Sequence, residues 1–132
     1  MIKTRVLIAD DHAIVRMGLT SLFSAKPDFE VVGQAKNGEI AIRDAKRLSP
    51  DVVVMDLMMP EMNGYEATKA IRALEDREKA SLPIIAMTAN AFEEDRKNAL
   101  EAGMDGHLAK PIDVNQLVEC LTEGFKKPHC FA

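Results

Sequence analysis

The sequence is poor in the residues that staple, repeat or span. Two cysteines, Cys120 and Cys130, stand apart with no C-x-x-C and no histidine at zinc-finger spacing. A disulfide framework or structural zinc is therefore disfavoured, and two free thiols are expected. Six Pro and seven Gly in 132 residues are too few for a disordered or fibrous chain. No apolar run approaches a membrane span, and the opening MIKTRVLIADD reaches charge too soon for a signal-peptide core. A cytoplasmic chain with no membrane contact is the expectation. The 17 Lys and Arg are scattered among 21 Asp and Glu, so this segment is not expected to bind nucleic acid directly. Internal repeats, low-complexity stretches and a G-x-x-x-x-G-K nucleotide loop are all missing.

What is there suits one soluble domain: 47% hydrophobic and 29% charged residues, and a length that fits a single shared core. Apolar runs rich in β-branched residues alternate with stretches of helical period, the mark of β/α units on a parallel sheet. Five units fit, with strands expected at Arg5–Ala9, Phe29–Ala35, Asp51–Met55, Leu82–Met87 and Gly106–Leu108. The third, through Val52, Val53, Val54 and Met55, does not alternate and should be central, buried on both faces.

The first helix should turn Val15, Leu19, Leu22 and Phe23 inward, and the last Val114, Leu117, Val118, Leu121 and Phe125. Capping boxes are expected at Asn63 with Glu66, Asn90 with Glu93, and Asp113 with Gln116. Asn37-Gly38 could open a hairpin, but Ala41, Ala45 and Leu48 behind it have helical spacing and favour a helix cap. The domain is expected over residues 1–127, with a tail or linker stub at 128–132.

Ligands of an open parallel sheet collect where strands lead into helices. Asp10 and Asp11 follow the first expected strand, Asp56 the third, Thr88 the fourth and Lys110-Pro111 the fifth. Singly, each has a bland explanation as a cap, a turn residue or a surface lysine. Together they bring three like charges to one rim, which is costly unless a cation and the lysine neutralise them. Oxygen ligands suit Mg²⁺ better than zinc or copper. The methionines at 55, 58, 59 and 62 offer thioethers for copper, but Met55 ends a buried strand and the reading is set aside. A carboxylate beside Mg²⁺ can attack a phosphoryl group to give an acyl phosphate, with Lys110 and the Thr88 hydroxyl stabilising its oxygens.

Four segments carry a family resemblance: Val6-Leu7-Ile8-Ala9-Asp10-Asp11, Met55-Asp56-Leu57-Met58-Met59-Pro60-Glu61-Met62-Asn63-Gly64, Met87-Thr88-Ala89 and Leu108-Ala109-Lys110-Pro111. In this order and spacing they resemble the receiver domains of two-component response regulators, over roughly positions 4 to 126. The resemblance implies a flavodoxin-like (βα)5 fold with strand order 2-1-3-4-5. It implies phosphorylation of Asp56 by a sensor histidine kinase or phosphotransfer protein, or by a small phosphodonor. It further implies direct Mg²⁺ contacts from Asp11 and Asp56, contact mainly through water from Asp10, and a ligand in the Met58 backbone carbonyl, with Mn²⁺ as an alternative ion. Thr88, Ala89 and Lys110 would receive the phosphoryl group, and Lys110-Pro111 would be a cis peptide bond, which the tertiary amide of proline makes accessible. Side chains at Met58 and Asn90 would tune the lifetime of the phosphate. The surface of the fourth helix, fifth strand and fifth helix, with Phe92 and the charged run 93–97, would carry the signal, with homodimerisation as one outcome.

Where family members commonly place a switch aromatic, three positions before the lysine, this chain has His107. The imidazole would either be exposed at a strand end or act as the switch with Thr88. The first half resembles regulators bearing a LuxR-type helix-turn-helix, the second half the receivers of hybrid histidine kinases. Two alternatives compete: a Mg²⁺ phosphohydrolase working through an aspartyl phosphate, and a docking module that is never phosphorylated. Haloacid-dehalogenase-like enzymes usually carry an aspartate two positions after the nucleophile, where this chain has Met58. Pseudo-receivers usually lose acidic or lysine positions that are all kept here. The expectation is thus a module that catalyses its own modification and is not a multiple-turnover enzyme.

Overall fold

A computed structural model describes residues 3–88, 93–110 and 112–123. The elements run β1 (Thr4–Ala9), α1 (Ala13–Ser24), β2 (Phe29–Ala35), α2 (Gly38–Leu48), β3 (Val52–Asp56), α3 (Gly64–Arg72), α4 (Arg77–Ala80), β4 (Ile84–Thr88), α5 (Glu93–Ala102), β5 (Gly106–Ala109) and α6 (Val114–Glu123). The strands pair in parallel in the order β2-β1-β3-β4-β5, the doubly wound arrangement expected. The sheet first grows outward from β1 to β2, then returns past β1 to β3. The switch point between β1 and β3 is where such sheets open a crevice.

Successive residues of a strand face opposite sides, so each central strand feeds two cores. Leu7, Ala9, Val53, Met55, Ile84 and Ala86 pack with Ala41 and Ala45 of α2, Ala67 and Ile71 of α3 and Ala99 of α5. Val6, Ile8, Val52, Val54, Ile85 and Met87 pack with Leu19 and Phe23 of α1 and Leu117 and Cys120 of α6. Every residue of β3 is buried. Burial of its four apolar side chains contributes on the order of 6–12 kcal/mol as an upper bound, so Asp56 stands on a strand that is hard to displace.

The Asn63–Glu66 capping box is formed in both directions. Asn37 accepts from the Ile40 N–H at 2.8 Å, which makes it the cap of α2 and not a hairpin residue. Asp113 accepts from the N–H groups of Asn115 and Gln116. The Asn90–Glu93 box, Phe92, Phe125, Cys130 and the end of the expected 1–127 domain with its 128–132 tail lie outside the described residues.

Several expectations need correction. The third strand starts at Val52, because the Asp51 carboxylate turns back to accept from the Arg5 N–H at 2.8 Å. The fourth starts at Ile84, since Pro83 has no N–H to contribute to a ladder. Leu22 is exposed, lying at the edge of the α1 stripe, whereas Leu19 and Phe23 are buried. A short helix, α4, precedes β4, started by Asp76, which caps the N–H groups of Glu78 and Lys79. Cys120, expected as a free thiol, is disulfide-bonded.

Candidate functional site

The carboxyl ends of β1 and β3 lie side by side, with Ala9 in register with Met55. This register brings Asp10, just after β1, beside Asp56, the last residue of β3. The next strands continue the rim: Asp56 is in register with Met87, and Thr88 with Ala109. Lys110 follows β5, and its N–H donates to the Thr88 carbonyl at 2.6 Å. Its side chain thus starts two strands away from Asp56 and reaches back across the rim.

Lys110 Nζ donates to Asp10 Oδ2 at 2.8 Å and stands 3.3 Å from Asp56 Oδ2. The second contact is an ion pair without hydrogen-bond alignment, since Asp56 Oδ2 has no hydrogen-bond partner. The other Asp56 oxygen accepts from the Met58 N–H at 3.1 Å. Asp10 and Asp56 are buried, whereas the Asp11 side chain remains 27% exposed and faces the mouth.

Burial pushes the Asp56 carboxyl above the usual carboxylate range, and the charge of Asp10 adds to this; the Met58 N–H and Lys110 pull the other way without reversing it. Burial also acts most strongly on Asp10, but hydrogen bonds from Lys110 and His12 and the lysine's charge outweigh it and hold that carboxyl below its usual value. For Lys110, burial alone would favour the neutral amine, yet Asp10 and Asp56 overcome it and raise its pKa. Asp10 and Lys110 therefore form the fixed ion pair. Asp56 is the carboxylate left under-compensated.

Asp10, Asp11, His12 and Asp56 offer ligand atoms that all lie within 4.8 Å of one another. Asp11 Oδ1 and Asp56 Oδ2 are buried oxygens without hydrogen-bond donors, an arrangement that is costly unless a cation completes it. The residues therefore fit a divalent cation held by hard oxygens.

Of the expected site residues, Asp10, Asp11, Asp56 and Lys110 come together as a cluster. Thr88 is buried at the adjoining strand end. Met58 contributes its N–H to Asp56, and its side chain is 74% exposed. Ala89, Asn90 and Pro111, with the expected cis bond, lie outside the described residues. His107, on β5, is 6% exposed, which overturns the reading of a solvent-facing imidazole. Burial lowers its pKa, Arg96 acts in the same direction, and Asp95 opposes both.

Sequence reasoning passed over two residues of this neighbourhood. His12 Nδ1 lies 3.0 Å from Asp10 Oδ1 and 3.2 Å from Asp11 Oδ1. Arg16 Nη1 donates to the Asp10 carbonyl at 2.7 Å and ties α1 to the site loop. The available signal was a nitrogen donor directly following two aspartates, with an arginine one helical turn on.

Residues 6–122 match the family model of the response regulator receiver domain. The transcriptional regulatory protein LiaR of Bacillus subtilis is 39% identical over 122 residues, covering 92% of this chain and 56% of that protein. This chain spans about half the length of the curated relatives it matches. A two-component response regulator of the LuxR family from Aurantimonas superposes with a TM-score of 0.82 at 33% identity, covering 92% of this chain and 84% of that one. The CheX-CheY-BeF3-Mg²⁺ complex from Borrelia burgdorferi gives 0.82 at 26% identity, covering 96% and 92%.

Proposed function

The chain belongs to the response regulator receiver domain family, and on that premise we propose that Asp56 is its phosphoacceptor, served by Lys110, Thr88 and a cation site at Asp10 and Asp11. The observation that carries this reading is the buried Asp56 Oδ2, which has no hydrogen bond and stands 3.3 Å from Lys110 Nζ. An oxygen free of hydrogen bonds keeps its lone pairs for attack, and the strand beneath it fixes its direction.

In the proposed step a carboxylate oxygen of Asp56 forms a bond to phosphorus as the bond from phosphorus to the donor's histidine nitrogen breaks. The donor keeps the electron pair of that bond. Lys110 is already charged and within reach, so it can follow the phosphoryl oxygens without a proton transfer. The Thr88 hydroxyl would complete the oxygen cradle, with Ala89 as the further phosphoryl-binding residue that the family resemblance implies. Asp10, Asp11, Asp56 and the Met58 carbonyl would hold Mg²⁺, or Mn²⁺ in its place; when bound, the ion supplies positive charge where the phosphoryl oxygens gather. The Borrelia CheY complex contains BeF3 and Mg²⁺, which supports the same pair of ligands here.

The phosphate donor would be a sensor histidine kinase or phosphotransfer protein in the cytoplasm. Among the described residues no helix is long and apolar enough to cross a membrane. Exposed Ile14 and Met17 on α1 and Met58 after β3 give a donor protein apolar purchase beside the rim. Once Asp56 is modified, the signal would pass through Thr88 and buried His107 to the face of α5, β5 and α6, with homodimerisation as one readout. The chain thus acts as a signalling module that modifies itself and not as a turnover enzyme.

The test is intact mass after treatment with acetyl phosphate and Mg²⁺. Wild type should gain one phosphoryl group and Asp56→Asn none. A folded, metal-binding wild type that gains no mass would overturn the reading.

A further inference from the structure

His12 has no task in the chemistry above, yet it is built into the acidic cluster. Its backbone N–H donates to Asp10 Oδ1 at 2.8 Å, while its ring Nδ1 lies 3.0 Å from that oxygen and 3.2 Å from Asp11 Oδ1. The ring is therefore held by a tight local turn at the mouth of the site. Its side chain is 64% exposed, so solvent reaches it. His12 belongs with Asp10, Asp11 and Asp56 to a group that offers one ligand atom per residue, all lying within 4.8 Å of one another. Two buried oxygens of these carboxylates, Asp11 Oδ1 and Asp56 Oδ2, lack hydrogen bonds, which points independently to a ligand among them.

An imidazole nitrogen changes what such a set prefers. Mg²⁺ takes oxygen and retains its waters, so a nitrogen donor adds little to its binding. Co²⁺ and Ni²⁺ favour imidazole, and their affinity for mixed nitrogen and oxygen sites exceeds that of lighter divalent ions. We propose that His12 is a metal-selectivity residue: its Nδ1 joins the carboxylates as a nitrogen ligand and shifts the site's preference from Mg²⁺ toward borderline transition-metal ions. This rests on the proposed reading of the cluster as the cation site of the phosphoacceptor. A neutral ring would bind the ion through the Nδ1 lone pair and carry its proton on Nε2. The contact with Asp10 would then be exchanged for one to the ion, while Lys110 remains as Asp10's partner.

The competing role is purely local, with His12 only steadying Asp10. Calorimetric titration of the whole chain with MgCl2 and separately with CoCl2 tells the two apart, in wild type, His12→Ala and His12→Gln. Glutamine keeps a hydrogen-bond donor for Asp10 but is a poor ligand for Co²⁺. Both substitutions should weaken Co²⁺ by at least about tenfold while leaving Mg²⁺ within about twofold, and should change the visible absorption of the bound Co²⁺. An unchanged ratio of Co²⁺ to Mg²⁺ affinity in both variants would overturn the proposal. So would glutamine behaving as wild type in both titrations. If Mg²⁺ binds and Asp56 is phosphorylated while the ratio stays fixed, only the role of His12 falls. If wild type takes up neither ion, the cation site itself falls with it.

Discussion

Replacing Gly64 with alanine should disable the site from a distance. Gly64 begins α3, and a Cβ added there would meet the Asp56 carbonyl oxygen at 2.5 Å, the Leu57 Cα at 3.0 Å and the Asp56 carbonyl carbon at 3.1 Å. The shortest contact is about 0.9 Å inside the 3.4 Å at which ordinary van der Waals contact begins. All three atoms are backbone, so no side chain can swing away. Either α3 retreats or the end of β3 shifts. Helix propensity favours alanine over glycine by at most about 1 kcal/mol, whereas overpacking costs about 1–3 kcal/mol. A net loss of about 1–2 kcal/mol is expected. With a urea slope of about 1–3 kcal/mol/M, the midpoint should fall by roughly 0.3–2 M. Circular dichroism is the suitable probe, because the chain has no Trp and one Tyr. The larger effect should be kinetic: displacing a reacting group by about 1 Å can cost on the order of 100-fold, read as the initial rate of phosphorylation by acetyl phosphate. A variant whose midpoint stays within about 0.2 M and whose rate stays within about twofold of wild type would refute the reasoning.

Three further outcomes are expected. Met58→Asn should shorten the life of the phosphorylated form, because an amide at this exposed position can orient an attacking water and a thioether cannot; loss of the added mass with time measures it, and an unchanged decay would count against it. His107 should make stability depend on pH: burial holds its folded pKa below the ordinary 6.5, so the unfolded chain takes up the proton first. Its contribution is then fully present above pH 6.5 and drains as the pH falls toward the folded value; the urea midpoint of wild type should fall relative to that of His107→Phe between about pH 7.5 and 5.5. Arg72 donates to the carbonyls of Gly103, Ala80 and Leu82 and to the Asp105 carboxylate. Both Arg72→Ala and Arg72→Lys should lose about 2–4 kcal/mol in urea denaturation, since an ammonium cannot span the fork.

Asp10, Asp11, Asp56, Thr88 and Lys110 were legible because parallel β/α topology turns a position just after a strand into a position on the rim. Their convergence required only the strands in order. The burial of His107 was not legible: Gly106–Ala109 is too short to show alternation, and all of Gly106, His107 and Leu108 are buried. Leu22 misled for a related reason, since helical spacing marks a stripe but not its edge. The helix at Arg77–Ala80 has no apolar period, and Asp76 as its cap was the sole local signal. His12 was overlooked because its place after two aspartates does not by itself say that its ring folds back onto them.

The rim holds three carboxylates and one ammonium in mutual reach, a formal sum of minus two that matches a single divalent ion. This sum ties together residues that the chain supplies from three separate loops. In descent, a change of charge at any one of them unbalances the other three at once, so the substitutions most readily inherited come as compensating pairs. Asp10 and Lys110, a hundred positions apart yet 2.8 Å from each other, should therefore change together across lineages or not at all.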